Sequence, residues 1–203
     1  MTPYEPRIGD LLLEYMNIGM GKAAQVLNDI LSAHIDLKVP ELKLIDPTEL
    51  INELHLELTE EIALVRMGYQ GSLEGRIELI FTSESASKLV NSLTTEGFED
   101  LDLYAIRSGT LCEVGNIVIN ALMGTLSNLL FEHLTYTVPE YREGKVLEIL
   151  VNEAPKSELG DAILLARTNF DILSLHISGN IAVYFSIKTL EIFTKSLHKL
   201  MEN

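Results

Sequence analysis

The sequence predicts an α+β fold: a mostly antiparallel sheet with two long helices on one side, built as a tandem repeat with a pseudo-two-fold axis. Three observations carry this. The chain is similar to itself: EYMN at 14–17 returns as EVGN at 113–116, and LKVPE at 37–41 is answered by YTVPE at 136–140. Each copy opens with helical apolar periodicity and continues in strand-like runs separated by turn residues. No Gly/Ser-rich linker divides the copies, so one fused domain spanning 1–203 is expected, with repeats at about 8–100 and 101–203.

The first unit begins with an amphipathic helix at about 10–33, stopped near the Val39-Pro40 step because a residue before proline avoids the helical region. A short strand follows the proline in ELKLID. Strands are expected at about 61–69 and 73–82, with Gly71 at the turn, and a helix at about 84–94 closes the unit. The second unit repeats this with a helix at about 104–132, strands at 161–169 and 173–186, and a last helix at 188–201. Its hairpin turn is expected at the polar stretch Asn169–Asp171. The pairing of Glu14 with Glu113, Asn17 with Asn116, His34 with His133 and Pro40 with Pro139 keeps one offset. Gly75 with Gly179 and Phe81 with Phe185 need a larger one, so residues are gained in the loop region 141–160.

Composition excludes several function classes. Aliphatic and aromatic residues make up 47% of 203 residues, enough for a large core. Fifteen Lys and Arg against 30 Asp and Glu leave a net charge of −15, which argues against nucleic acid and against an anionic membrane surface as partners. A single cysteine, Cys112, excludes an internal disulfide framework and a multi-cysteine zinc site. The start, MTPYEPRIGD, has no apolar core of a signal peptide, and no stretch approaches 18 uninterrupted apolar residues, so no bilayer span is expected. A cytoplasmic protein is expected.

At about 100° per residue, Asp10, Glu14, Asn17, Gly21 and Asn28 fall on one arc of the first helix. Leu12, Tyr15, Met16, Ala23, Val26, Leu27, Ile30 and Leu31 fall opposite. The second helix repeats this, with Glu113, Asn116, Asn120 and Ser127 against Leu111, Val118, Leu122, Leu126 and Leu129. An isolated Glu and Asn on a polar face are ordinarily just solvated. Here the same pair recurs with the same spacing to a proline, and Asn is a mediocre helix former chosen twice. The mid-helix glycines Gly19, Gly21, Gly115 and Gly124 each cost about 1 kcal/mol relative to alanine, which implies close approach to the backbone; Gly115 points toward the core, where helix packing is the reason.

These residues resemble the CheC/CheX/FliY family of chemotaxis phosphatases, whose motif is Asp/Ser-x3-Glu-x2-Asn-x22-Pro on a long helix. Asp10-x3-Glu14-x2-Asn17-x22-Pro40 is a full match, and Gly109-x3-Glu113-x2-Asn116-x22-Pro139 departs at its first position only. The resemblance is closest over 10–40 and 109–139, and two motifs are similar to CheC rather than CheX. It implies hydrolysis of the aspartyl phosphate of a CheY-type response regulator. Asn17 and Asn116 would orient the attacking water, Glu14 and Glu113 would pair with a cation on the regulator, and Asp10 and Gly21 would lie in the partner-binding arc. It implies no cofactor of its own, Mg²⁺ being held by the regulator, and a CheD-like deamidase as a further partner. The alternative on the same fold is a non-catalytic adaptor for a regulator, a CheD-like deamidase or flagellar switch components. The first site is expected to be the stronger, because Gly109 lacks the side chain that Asp10 supplies.

Other residues read as structural. His34 and His133 sit at helix ends, where an imidazolium complements the dipole, and the five histidines show no ligand spacing. Cys112 faces apolar neighbours and is expected to be inert. Gly71 to Gly75 lies between strands and is no phosphate loop. The acidic stretch 46–61 is expected to be a solvated loop with a short helix.

Overall fold

The computed structural model describes residues 6–31, 34–94, 102–130, 133–152, 162–172, 177–186, 191–192 and 195–199. Helix α1 (Pro6–Leu31) starts on a proline, which suits the first turn because its missing N–H has no helical partner. Strand β1 (Ile35–Ile45) runs through Pro40 with an irregularity between Lys38 and Glu41. Asp46 then caps a 3₁₀ turn, accepting from the Thr48 N–H at 2.9 Å, and α2 (Leu50–Leu54) follows. Strands β2 (Glu61–Gly71) and β3 (Gly75–Thr82) form a hairpin, and Thr82 caps α3 (Ser83–Leu93). Helix α4 (Leu103–Leu130) starts at Asp102, whose carboxylate accepts from the Tyr104 N–H at 3.0 Å. Next come β4 (Leu134–Tyr136), β5 (Glu140–Lys145), a π-helical turn (Leu147–Asn152), β6 (Ala162–Ile172) and β7 (Ile177–Phe185).

All strands join one antiparallel sheet in the order β1-β6-β7-β3-β2, with β4 and β5 end to end along the far edge of β2. The order is palindromic under exchange of the halves: β7 and β3 meet at the centre, β6 answers β2, and β1 answers β4 with β5. Each half therefore lends its edge strand to the other half. Period-2 alternation sends Ala63, Val65, Met67, Ile77, Leu79 and Phe81 to one face, where they pack under α1, α3 and α4. Ile62, Leu64, Ile80, Ile163 and Leu165 go to the other, under α2 and the π-helical turn. Helix α4 is long and apolar enough by composition to cross a membrane, yet Leu111, Val118, Leu122, Leu126 and Leu129 are spent on this core.

Several expectations need correction. Asn169–Asp171 is not a turn: Lys38 pairs with Asn169 and Asp36 with Asp171, so β6 continues and the connection to β7 moves to 173–176, outside the described residues. Strand pairing there outweighs turn-favouring side chains. A strand follows the proline in the second half too, because Glu140–Lys145 completes the edge of β2. Val26 and Ile30 are 44% and 58% exposed, since the buried stripe of α1 is narrower, centred on Leu12, Met16, Ala23 and Leu27. The stretch 46–61 does carry a short helix, but its Leu50 and Leu54 are buried under the second face rather than solvated. Of the last helix, only 191–192 and 195–199 are described, and both are helical.

The helix glycines divide in two. A Cβ on Gly19 would stand 2.9 Å from the Leu122 Cα, and one on Gly115 would stand 2.5 Å from the Val65 Cγ1. These positions let α1 meet α4, and α4 meet β2, at backbone distance. Gly21 and Gly124 meet nothing within 4 Å, so no close approach explains them within the fold. Gly21→Ala and Gly124→Ala are thus expected to stabilise by up to about 1 kcal/mol. Gly19→Ala and Gly115→Ala should destabilise by about 1–3 kcal/mol through overpacking. Urea midpoints of the four variants check this, and a stabilised Gly19→Ala would contradict the α1–α4 contact.

Candidate functional site

Glu14 and Glu113 are exposed on the outer sides of α1 and α4, and Asn17 and Asn116, one turn further on, are half-buried. Asp10 and Gly21 are exposed on the same side of α1. The outward arc thus combines carboxylates open to an incoming cation with carboxamides set beside them. Gly109 lies open in α4, with nothing within 4 Å of its Cβ direction.

The two carboxamides are held differently. Asn17 Nδ2 donates to the Leu13 carbonyl at 3.0 Å and to the Val39 carbonyl at 3.0 Å, while its Oδ1 accepts from the Val39 N–H at 2.9 Å. Further along α1, Asn28 Oδ1 accepts from the Ile35 N–H at 2.6 Å. The two asparagines therefore stitch β1 to α1, and Pro40 comes directly after the clamped Val39. Both Asn17 N–H donors are used, and one Oδ1 lone pair remains for a water.

In the second half the equivalent backbone has turned away. Thr137 stays on β2, its N–H donating to the Gly68 carbonyl at 3.0 Å and its Oγ1 accepting from the Gly68 N–H at 2.8 Å. Val138 then swings outward and is 84% exposed, where Val39 is 2% exposed. Asn116 Oδ1 instead accepts from Asn120 Nδ2 at 2.7 Å.

The remaining candidates separate cleanly. Cys112 is partly buried beside the Pro139 carbonyl, and burial pushes its thiol pKa up, away from a reactive thiolate. His34 and His133 are exposed just past the helices. Among the described residues no three His, Cys, Asp or Glu side chains are grouped to hold a metal ion. A cleft of about 880 Å³ opens elsewhere, between Arg66, Arg76, Tyr184, Thr137 and Glu140, with no wall from α1 or α4. Its cations are engaged internally. The buried Glu78 takes Arg66 Nε at 2.7 Å and Tyr184 Oη at 2.6 Å, with Arg76 Nε at 3.3 Å; Glu140 in the cleft wall pairs with Arg142, which lies outside that wall. Sequence patterning does not reveal this network. Alternation does place Arg76 and Glu78 on one face of β3, but nothing in the sequence says that this face is covered.

A sequence model described as the CheC-like family matches residues 10–44, the stretch from Asp10 through the clamp on β1. The chain is 29% identical over 134 residues to the CheY-P phosphatase CheC of Bacillus subtilis (strain 168), and the match spans 64% of each protein. Among solved structures, Thermotoga maritima FliY superposes with a TM-score of 0.73 at 22% identity, covering 96% of this chain and 100% of that one. The FliM middle domain from H. pylori gives 0.64 at 10% identity, over 95% and 99%. A chain of the CheX-CheY-BeF3-Mg complex from Borrelia burgdorferi gives 0.51 at 18% identity, over 86% and 99%. These structural likenesses speak for the fold.

Proposed function

We propose, from the premise that this chain is CheC-like, that it accelerates hydrolysis of the aspartyl phosphate of a CheY-type response regulator in chemotaxis signalling, in the cytoplasm. The observation that carries the reading is the duplicated outward pair, an exposed glutamate beside a carboxamide held at its base. A docked helix would bring Asn17 or Asn116 to the phosphoryl group. Water donates one hydrogen to Oδ1, which leaves an oxygen lone pair aimed in line at phosphorus. The new P–O bond forms as the bond to the aspartyl oxygen breaks. The regulator keeps a carboxylate, and both water hydrogens leave on inorganic phosphate. A carboxamide is no base near neutral pH, so its contribution is orientation. The Mg²⁺ of such a reaction belongs to the regulator.

Glu14 and Glu113 supply docking rather than chemistry: each would bond a cation beside the phosphorylation site through a charge-assisted hydrogen bond. Glu14→Gln with Glu113→Gln should weaken regulator binding about tenfold or more, with the greater loss at low salt. Titration of the regulator at two salt concentrations checks this. An unchanged Kd would remove the glutamates from the interface.

The decisive experiment is release of phosphate from a phosphorylated CheY-type regulator with and without this protein. A second reading, a non-catalytic adaptor binding a regulator, a CheD-like deamidase or switch components, draws on the fold shared with FliM middle domains. Binding without faster phosphate loss would favour it.

A further inference from the structure

We infer that Asn120 is a positioning residue for Asn116, doing with a side chain what the β1 backbone does for Asn17. The inference rests on the reading of Asn116 as the group that orients water.

A carboxamide presents two different ends, and turning it by half a rotation exchanges acceptor for donor with little cost unless a neighbour decides between them. The difference matters here. Water meeting Oδ1 donates a hydrogen and keeps both lone pairs, one of them for phosphorus; water meeting Nδ2 commits one of the two to the amide and is turned and made less nucleophilic. In the first half Val39 decides. Its N–H must face Oδ1 and its carbonyl must face Nδ2, and the reversed amide would set oxygen against oxygen. In the second half Val138 has turned outward, so the choice falls to another group.

Asn120 lies one helical turn beyond Asn116 and donates its Nδ2 to Asn116 Oδ1 at 2.7 Å. This bond takes one Oδ1 lone pair and leaves the other, the same state in which Val39 leaves Asn17. The repeat makes the comparison sharper, because the residue matching Asn120 in the first half is Gly21. No atom lies within 4 Å of the place its Cβ would take. The half with a backbone clamp has no side chain at this position, and the half without that clamp has a hydrogen-bond donor there. Asn120 itself is exposed, so it stands where a donor is not needed for folding.

The test isolates the second site. Because Asn17 also ties β1 to α1, the first site is silenced at the exposed Glu14, by Glu14→Lys, which leaves that tie in place. In this background Asn120→Ala and the nearly isosteric Asn120→Asp are assayed with a phosphorylated regulator for kcat and KM separately. Ionised Asp can only accept, so it draws Asn116 Nδ2 toward itself and turns Oδ1 away. The expected result is a fall in kcat of about tenfold for both variants, with KM within twofold and the melting temperature unchanged. Asn120→Gln, which restores a donor, should recover part of the loss. A parent-like kcat in Asn120→Asp overturns the inference, as does a rise in KM alone, which would make Asn120 a contact. The underlying reading fails separately: if Glu14→Lys with Asn116→Ala retains the kcat of Glu14→Lys, Asn116 does not orient water and the inference falls with it.

Discussion

Replacing both Asn17 and Asn116 by alanine is expected to cut the acceleration of dephosphorylation by about a hundredfold or more, since a misplaced water loses most of the benefit of orientation. Regulator binding should largely survive, because the glutamates and helix surfaces remain. The single variants should differ in kind. Asn17→Ala removes three hydrogen bonds and strands the backbone of Val39, so a stability loss of about 1–3 kcal/mol should accompany its loss of activity. Asn116→Ala loses one bond to an exposed partner and should leave stability nearly unchanged. Of the two, Asn17→Ala should lose more activity, because a backbone clamp restrains its carboxamide more tightly than a side-chain bond does. Initial rates of phosphate release and urea denaturation on the same samples check both halves of this. A double variant with the parent rate would refute water positioning by these residues.

Glu78→Gln is expected to be the most destabilising single substitution proposed, at about 3–5 kcal/mol, because it leaves charged groups buried without their counter-ion. Glu78 is fully buried, held between Arg66 and Arg76 and taking the Tyr184 hydroxyl hydrogen. Arg76 also lies 4.0 Å from the centre of the Tyr184 ring. Burial, followed by the nearby Glu78 charge, pushes the Tyr184 pKa well above the usual tyrosine value, so its hydroxyl stays a donor. The network fastens β2, β3 and β7 across the centre of the sheet, where the halves meet. Chemical denaturation checks the loss. A change under about 1 kcal/mol would mean that solvent already screens the arginines.

The long helices were legible to within a few residues at most ends: α1 from 3.6-residue periodicity sustained over 26 residues, and α4, which is apolar around more of its circumference, from its match to α1 in the repeat. The central strands were legible from alternation and apolar runs. Short edge strands were not: Leu134–Tyr136 is three residues long, and only its partner Tyr69–Gly71 makes it a strand. Asn169 and Asp171 carried a turn signal, but the pairing of β1 across the repeat boundary drew them into β6. The exposure of Val26 and Ile30 on α1 was equally invisible, since helical angle alone says which residues share a side but not how wide a stripe the neighbours cover.

By itself the sequence determined the α+β class, the duplication, and the recurrence of Glu-x2-Asn before Val-Pro in each half. Those are local and periodic properties, written in residue spacing. Tertiary structure alone decided that Asn17 is bound on both sides to Val39, while Asn116 turns to Asn120. The motifs read alike because the spacing is the same. They are held differently because β1 continues as one strand past the irregularity at Val39 and Pro40, whereas the matching edge divides into β4 and β5 around an outward Val138. A carboxamide takes whichever partners the neighbouring backbone offers, and that backbone is placed by the sheet edge it joins.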